Sequence, residues 1–371
     1  MLPSRRSRNL SVSQSLVIVS QCSLFPTPHK TPTLPTPTTK KMKSKTFLLA
    51  SLLLIASCDS FDQNKANKVL GPVKSAPYEL LIVCDKQWYK SEAGDKFREL
   101  VNTLIPGMPQ DEPEFKVVCI NAGAFTKTFS TFGCIIFVNT GTKYKQKQYI
   151  TARDMFATPQ MIITLNAPDF AGIDTLVDER GEQILQLMKD NEIKRTMAAL
   201  KKKHSSIVQN EAKDRFKVKA WHMPPEITLI KKGEKFFWAS SPDNTYNACM
   251  YSYPWVSNNT FTKDYFINKR DSVMHLYIEG EEWGQHMTTN KSTVTVKERM
   301  IDGHYVMEVR GLWEMKGDAM GGPFISYVQL DSASNNIIVT EGFAYLPNKE
   351  KKKILHPLEA GLRTLKMRHV D

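Results

Sequence analysis

The chain has 371 residues with 50 Lys and Arg against 38 Asp and Glu, a formal net charge of +12. Eight of the basic residues (Arg5, Arg6, Arg8, Lys30, Lys40, Lys41, Lys43 and Lys45) fall in residues 1–57, which hold no acid. Taking those 57 from 371 leaves 314 residues with 42 basic and 38 acidic side chains, a net +4 that excludes a nucleic-acid footprint and leaves room for two domain cores.

Residues 1–41 read as a disordered preface, rich in Ser, Thr and Pro, whose Thr31-Pro32, Leu34-Pro35 and Thr36-Pro37 steps favour extended, unpacked chain. Met42 is therefore the expected working start. An organellar transit peptide would share the Arg and Ser content but needs no lipidation site behind it.

Residues 42–57 have the order of a lipoprotein signal peptide: Lys43 and Lys45, an apolar run at 47–55, then Ala56-Ser57 before Cys58. The run is too short to span a bilayer. Lipidation is expected at Cys58, whose thiol takes a diacylglyceryl group and whose amine becomes the new terminus. The competing reading is a buried or signal-anchor helix that ends in cysteine. The implied partner is the membrane, reached through lipid on Cys58, and the implied address is the cell envelope. Asp59 signals inner-membrane retention in enterobacterial sorting, whereas in the lipoprotein group that the chain resembles, named below, acids after the cysteine accompany surface export; that resemblance favours the outer membrane, and the side it faces stays open.

Residues 58–75 are polar with Gly71-Pro72 and read as a flexible tether. An α/β domain is expected at 76–222. Its strands are predicted at 78–84, 115–120, 134–138 and 161–165, with helices at 94–105, around 126–132 and around 147–156. Strands alternating with helices argue for a mainly parallel sheet. A long helix is predicted over 175–208, with Ile184, Leu187, Met188, Met197 and Leu200 on its apolar face. Lys201-Lys202-Lys203 suits a helix C-terminal turn, with contact to anionic lipid as the other reading.

Met223-Pro224-Pro225 marks a boundary, and 223–371 reads as a strand-rich α+β domain with a C-terminal helix. Strands are predicted at 227–230, 235–240 and 249–253, and a helix at 262–277. Residues 294–300 and 305–313 form a hairpin about Asp302-Gly303, a pair that supports a type I′ turn. A second antiparallel pair is predicted at 324–331 and 337–345. Asn348 is the expected cap of a closing helix carrying Leu355, Leu358, Leu362 and Leu365.

Four cysteines remain once Cys22 and Cys58 are set aside. Cys84, Cys119 and Cys134 lie in apolar strand-like runs, so free buried thiols are expected ahead of disulfides, with Cys249 the fourth. No Cys-x-x-Cys, His-Glu-x-x-His, Gly-x-Ser-x-Gly or phosphate loop occurs, and neither metal nor cofactor is expected. His286 beside Glu281 and Glu282 is the only local histidine cluster, and Gly284 argues against one helix face carrying all three.

Two ligand-binding candidates remain. In parallel sheets ligands gather beyond the carboxyl ends of the strands, where Asp85, Asn121, Asn139 and Asn166 stand, with Trp88 as a stacking platform. The bland alternative is that these residues begin turns and Trp88 is core. In the second half Arg270 and Asp271, Arg310 and Trp313, and Gly321-Gly322 suggest a guanidinium and a close backbone approach holding a carboxylate or phosphate. The alternative is a tight strand connection with Arg310 paired to an acid such as Asp271.

Arg270-Asp271-Ser272-Val273, Arg310-Gly311-Leu312-Trp313, Met320-Gly321-Gly322-Pro323-Phe324 and Glu341-Gly342-Phe343-Ala344-Tyr345-Leu346-Pro347 resemble the domain of unknown function 4837. That family is carried by envelope lipoproteins of Bacteroidota-type bacteria. Pro109-Gln110, Arg153-Asp154, Ala157-Thr158-Pro159-Gln160 and Phe237-Trp238-Ala239-Ser240 extend the resemblance across nearly the whole chain after the signal. It also supports Met42 as the start. One departure is His286-Met287-Thr288, where the family pattern has Tyr-Met, which counts against His286 as a shared metal ligand. The resemblance implies no established activity. The first functional expectation is a non-catalytic, lipid-anchored envelope protein that binds an envelope protein or glycan. The alternatives are an envelope hydrolase, acting at the strand ends or at 310–324, and a lipid or lipoprotein carrier.

Overall fold

The computed structural model describes residues 69–368. The preface, the signal and Cys58 lie outside the described residues. Glu79–Val83 (β1), Lys116–Ile120 (β2), Cys134–Thr140 (β3), Gln148–Arg153 (β4) and Met161–Ala167 (β5) form a five-stranded sheet in the order β2-β1-β3-β5-β4. All pairs are parallel except β4 against β5. The expected parallel sheet is present, with an antiparallel edge strand that the sequence reading had as a helix near 147–156. Tyr149, Ile150 and Thr151 favour a pleated edge, and pairing with β5 decides the matter. Near 126–132 only a short 3-10 turn, Phe129–Thr131, is present.

The central strands are continuous apolar runs because both faces are covered. One face packs on Phe170–Lys202 (α3), through Ile173, Ile184 and Met188; the other packs on Phe125, Phe129 and Phe132. Two short helices, Lys86–Lys90 (α1) and Asp95–Val101 (α2), complete the first layer and bury Trp88 and Phe97. α2 is shorter than the expected helix over 94–105. At 33 residues α3 is about 50 Å long, enough to leave the first core and run into the second half. Asp169 caps it by accepting the Gly172 N–H at 2.9 Å, so it begins earlier than expected. It also ends earlier, because Ser205 starts a new helix, Ser206–Phe216 (α4), by accepting the Val208 N–H.

The second half is a seven-stranded, wholly antiparallel sheet of Leu229–Lys232 (β6), Phe236–Ser240 (β7), Tyr246–Pro254 (β8), His286–Ile301 (β9), His304–Lys316 (β10), Gly321–Asp331 (β11) and Asn336–Ala344 (β12). Its order is β6-β7-β8-β12-β11-β10-β9. The predicted hairpin turns at Asp302 and Gly303, both with positive φ (50° and 81°), as a type I′ turn requires. Lys263–Tyr277 (α5) covers one face with Phe266, Ile267 and Met274. The other face takes α4 and the closing helix Lys352–Leu362 (α6), through Val208, Ala212, Leu355 and Leu358. α4 thus packs with the second sheet. β12 is buried on both sides from Ile337 to Ala344, so no alternation survives there.

Asn348 does not cap α6. It lies in a left-handed turn (φ 59°), and the cap comes from Glu112, whose carboxylate accepts the Lys351 N–H at 2.9 Å and the Lys352 N–H at 2.9 Å. A carboxylate at a helix N-terminus satisfies orphan donors and meets the positive end of the helix dipole. Glu112 is 2% exposed, so this cap also ties the loop before β2 to the second half. Glu112→Ala is expected to lower unfolding free energy by about 1–2 kcal/mol, read as a shift of the urea midpoint at constant slope.

Candidate functional site

The polar residues at the carboxyl ends of the first sheet's strands are taken up by hydrogen bonds within the fold, a local cap at Asp85 and cross-strand bonds at Asn139 and Asn166. Asp85 accepts the Gln87 N–H at 2.8 Å and the Trp88 N–H at 3.2 Å and so caps α1. Asn121 accepts the Lys86 N–H at 2.9 Å. Asn139 donates to Asn166 at 2.9 Å, and Asn166 donates to Gln148 at the same distance. Asp85, Asn121 and Asn139 do line one open hollow of about 580 Å³, with Asn166 behind Asn139. Trp88 is no platform: it is 4% exposed, stacks on Phe170 at 4.7 Å and donates to the Ala93 carbonyl.

The second-half candidates separate, and strand periodicity is the reason. Val309 faces Ser326 and Ser326 faces Glu341, whereas Arg310 faces Ile325 and Ile325 faces Gly342. Successive residues point to opposite faces, so Glu341 and Arg310 lie on opposite sides of the sheet. Arg270, carried by α5, makes a bidentate pair with Glu341 at 2.9 and 2.7 Å and donates to Thr289 at 2.8 Å, with its guanidinium 4.1 Å from the Phe324 ring centre. Both partners are fully buried. Asp271 accepts from Thr289 and is not the partner of Arg310. Trp313 donates to the Ala344 carbonyl at 3.2 Å. A Cβ on Gly322 would stand 2.1 Å from that same oxygen, and one on Gly321 would stand 2.9 Å from the Trp313 carbonyl. Gly321 and Gly322 therefore permit strand packing and form no ligand loop.

Arg310 instead enters an ionic cluster between the halves. Its Nε donates to Glu308 at 2.8 Å, and its Nη2 lies 2.7 Å from Glu359 of α6, off the hydrogen-bond axis. Arg299 donates to the other Glu308 oxygen at 2.9 Å. Lys189 of α3 sits 3.1 Å from Glu114 and 3.6 Å from Glu359, and His356 of α6 approaches Glu114 at 3.2 Å. The His356 ring stacks on Tyr78 with centroids 3.5 Å apart. α3, β9, β10, α6 and the segment leading into β2 each contribute a charge.

Burial raises the Glu114 carboxyl, but Lys189 and His356 outweigh it and hold the group at about 2. Burial likewise opposes ionisation of Glu359, and Arg310 with Lys189 holds it far below the usual range. Glu308 is lowered against its own burial, chiefly by Arg310. The Arg310 guanidinium, penalised by burial, is raised by Glu359 and Glu308.

Two hollows flank the cluster. The smaller, about 390 Å³, is lined by Glu114, Lys189, Arg299, Glu308 and Arg310. The larger, about 980 Å³, is walled by Tyr78, Tyr89, Phe115 and Val117 from the first half and by His356 and Pro357 from α6, with Glu79, Lys116, Glu350, Lys352 and Lys353 about it. Sequence reasoning reached Arg310 and missed Glu114, Lys189, Glu308, His356 and Glu359. One signal was available: Glu308 and Arg310 are two apart on a predicted strand and must share a face. Among the described residues no three His, Cys, Asp or Glu come together to hold a metal ion. Cys84, Cys119, Cys134 and Cys249 are free thiols.

Residues 205–364 match the family described as Domain of unknown function (DUF4837), and residues 74–201 match Domain of unknown function (DUF8532). No curated protein matches the chain. A crystal structure from Bacteroides thetaiotaomicron VPI-5482 at 1.50 Å resolution is similar over 41% of this chain and 45% of that one, at 16% identity and a TM-score of 0.18. The likeness spans under half of that chain and carries no argument about function.

Removing one member of a buried ionic set leaves its partners uncompensated. Arg310→Met is expected to lose about 3–5 kcal/mol of stability, measured by urea unfolding. Because Glu114 and Glu359 are depressed in the folded state, their stabilising contribution is complete above the ordinary carboxylate range and is lost as pH falls. The urea midpoint should drop between about pH 5 and pH 2, and Glu114→Gln should flatten that drop.

Proposed function

We propose that this chain, which through residues 205–364 belongs to the family of domain of unknown function 4837, is a non-catalytic binding protein of the cell envelope. In this reading it is held to the membrane by lipid on Cys58 and engages an envelope protein or glycan in the cleft between its halves. The anchor is supported by the order of charges, apolar run and small residues before Cys58. Among the described residues no helix is long and apolar enough to cross a membrane.

The observation that carries the binding role is the cleft of about 980 Å³, with walls from both halves. The half-buried Tyr89 and Val117 offer apolar surface, Tyr78 and Phe115 are buried beside them, and Glu79, Lys116 and Lys352 offer polar groups around them. That combination of apolar wall and few polar groups is how concave sites orient a ligand. The neighbouring ionic groups neutralise one another, which favours a positioning role over proton transfer. A hydrolase at Asp85 or Arg310 draws less support, because the first caps a helix and the second is paired to two carboxylates. Carriage of a lipid-type ligand is a second reading, favoured by the apolar contributions of Phe115, Val117 and Pro357 to the same walls.

Native mass spectrometry of protein purified from its own membrane tests both parts. The expected result is a diacylglyceryl mass on Cys58 and a co-purifying ligand lost at least ten-fold in Val117→Trp, which fills the cleft from an edge strand. An unmodified amino terminus upstream of Cys58 would remove the anchor. Undiminished ligand in the variant would remove the cleft, and the mass of the ligand separates glycan from lipid.

A further inference from the structure

We propose a second binding site, for phosphate-ester anions, in the pocket bordered by the last described residues of the chain. The segment after α6 returns beside the one after α4: the Lys219 N–H donates to the Lys366 carbonyl at 2.7 Å, the Lys366 N–H donates to the Ala220 carbonyl at 2.9 Å, and Arg368 Nε donates to the Lys217 carbonyl. This pairing brings together cations that are about 150 positions apart in sequence, as the Arg368 and Lys217 contact shows. Beside it lies a pocket of about 440 Å³ lined by Lys219, Arg363, Lys366 and Arg368, with Asp302 the one carboxylate in its walls among the described residues. Asp302 is paired with Lys366. Among the described residues Lys219 and Arg368 have no acidic partner.

Arg363 makes this a built site as well as a charged surface. Its Nε donates to the Tyr327 hydroxyl at 3.1 Å and its Nη1 donates to Asp190 at 3.0 Å, which fix the guanidinium, while Nη2 has no hydrogen-bond partner. Clustered positive charge with a pre-oriented guanidinium suits a tetrahedral oxyanion, which accepts from several donors at once. Ile301, Leu362, Leu365 and Met367 also line the pocket and suit the organic side of an ester. The site is remote in chemistry from the aromatic cleft and does not rest on the reading of that cleft or on the anchor.

The ester can be a soluble metabolite or a lipid headgroup, and two probes separate the sources. The full chain carrying Cys58→Ala, which removes the tether, is titrated with glycerol 3-phosphate by calorimetry and mixed with vesicles of phosphatidylglycerol or of phosphatidylcholine for flotation. Binding of glycerol 3-phosphate identifies a soluble source; flotation with phosphatidylglycerol alone identifies a headgroup. In either case Lys219→Glu with Arg368→Gln is expected to weaken binding at least ten-fold. Lys219→Glu alone, at an exposed position, serves if the double variant fails to fold. Absence of binding to both probes, or binding unchanged in the variant, would overturn the site.

Discussion

The structure depends on how Arg310 is compensated. A guanidinium 4% exposed, on a sheet face packed largely by apolar side chains, is tolerable only because Glu308 and Glu359 stand within 2.8 Å of it. Glu308 is local, two residues away on the same strand. Glu359 arrives on α6, and Lys189 arrives on α3 to share it. The closing helix and the long helix are thereby held in one register over the second sheet. Apolar burial supplies most of the free energy of that packing. The ionic set restricts which packing is acceptable, since any slip leaves a charge in a dry environment without its partner.

The opposite face solves the same problem separately. Arg270 on α5 reaches Glu341 in the central strand β12, and Ser326 and Thr289 complete the hydrogen bonding. Each face of the seven-stranded sheet thus carries one buried arginine from or against a covering helix, and each arginine is matched by a carboxylate. Helices α5 and α6 are located by polar contacts as well as by their apolar stripes.

This arrangement also shapes the surface. Glu114 belongs to the ionic set through Lys189 and His356, and the same residue lines both hollows between the halves. The stacking of His356 on Tyr78 joins the first half to α6. A cleft bounded by elements fixed in this way keeps its shape without a ligand, which lowers the ordering cost of filling it.

Local pattern determined a good deal by itself. The apolar runs of β1, β3 and β5, the turn at Asp302-Gly303, the α5 helix and the leucines of α6 were legible because propensity and periodicity act over a few residues. Asp85 was legible too, in its turn-making sense, since its carboxylate bonds to backbone two and three positions on, whereas Asn121, Asn139 and Asn166 find partners 18 to 35 positions away that only the sheet brings near. What pairing across the chain decides was not legible. Gln148–Arg153 is a strand because β5 offers it an edge, and α6 is capped by Glu112, not by Asn348, because a loop about 240 residues upstream folds against it. Arg270 and Arg310 look alike in sequence, yet the two-residue period of the sheet sends their partners to opposite faces. Charge compensation in a dry interior depends on distance in space, and only the tertiary structure sets which carboxylate lies within 3 Å of which cation.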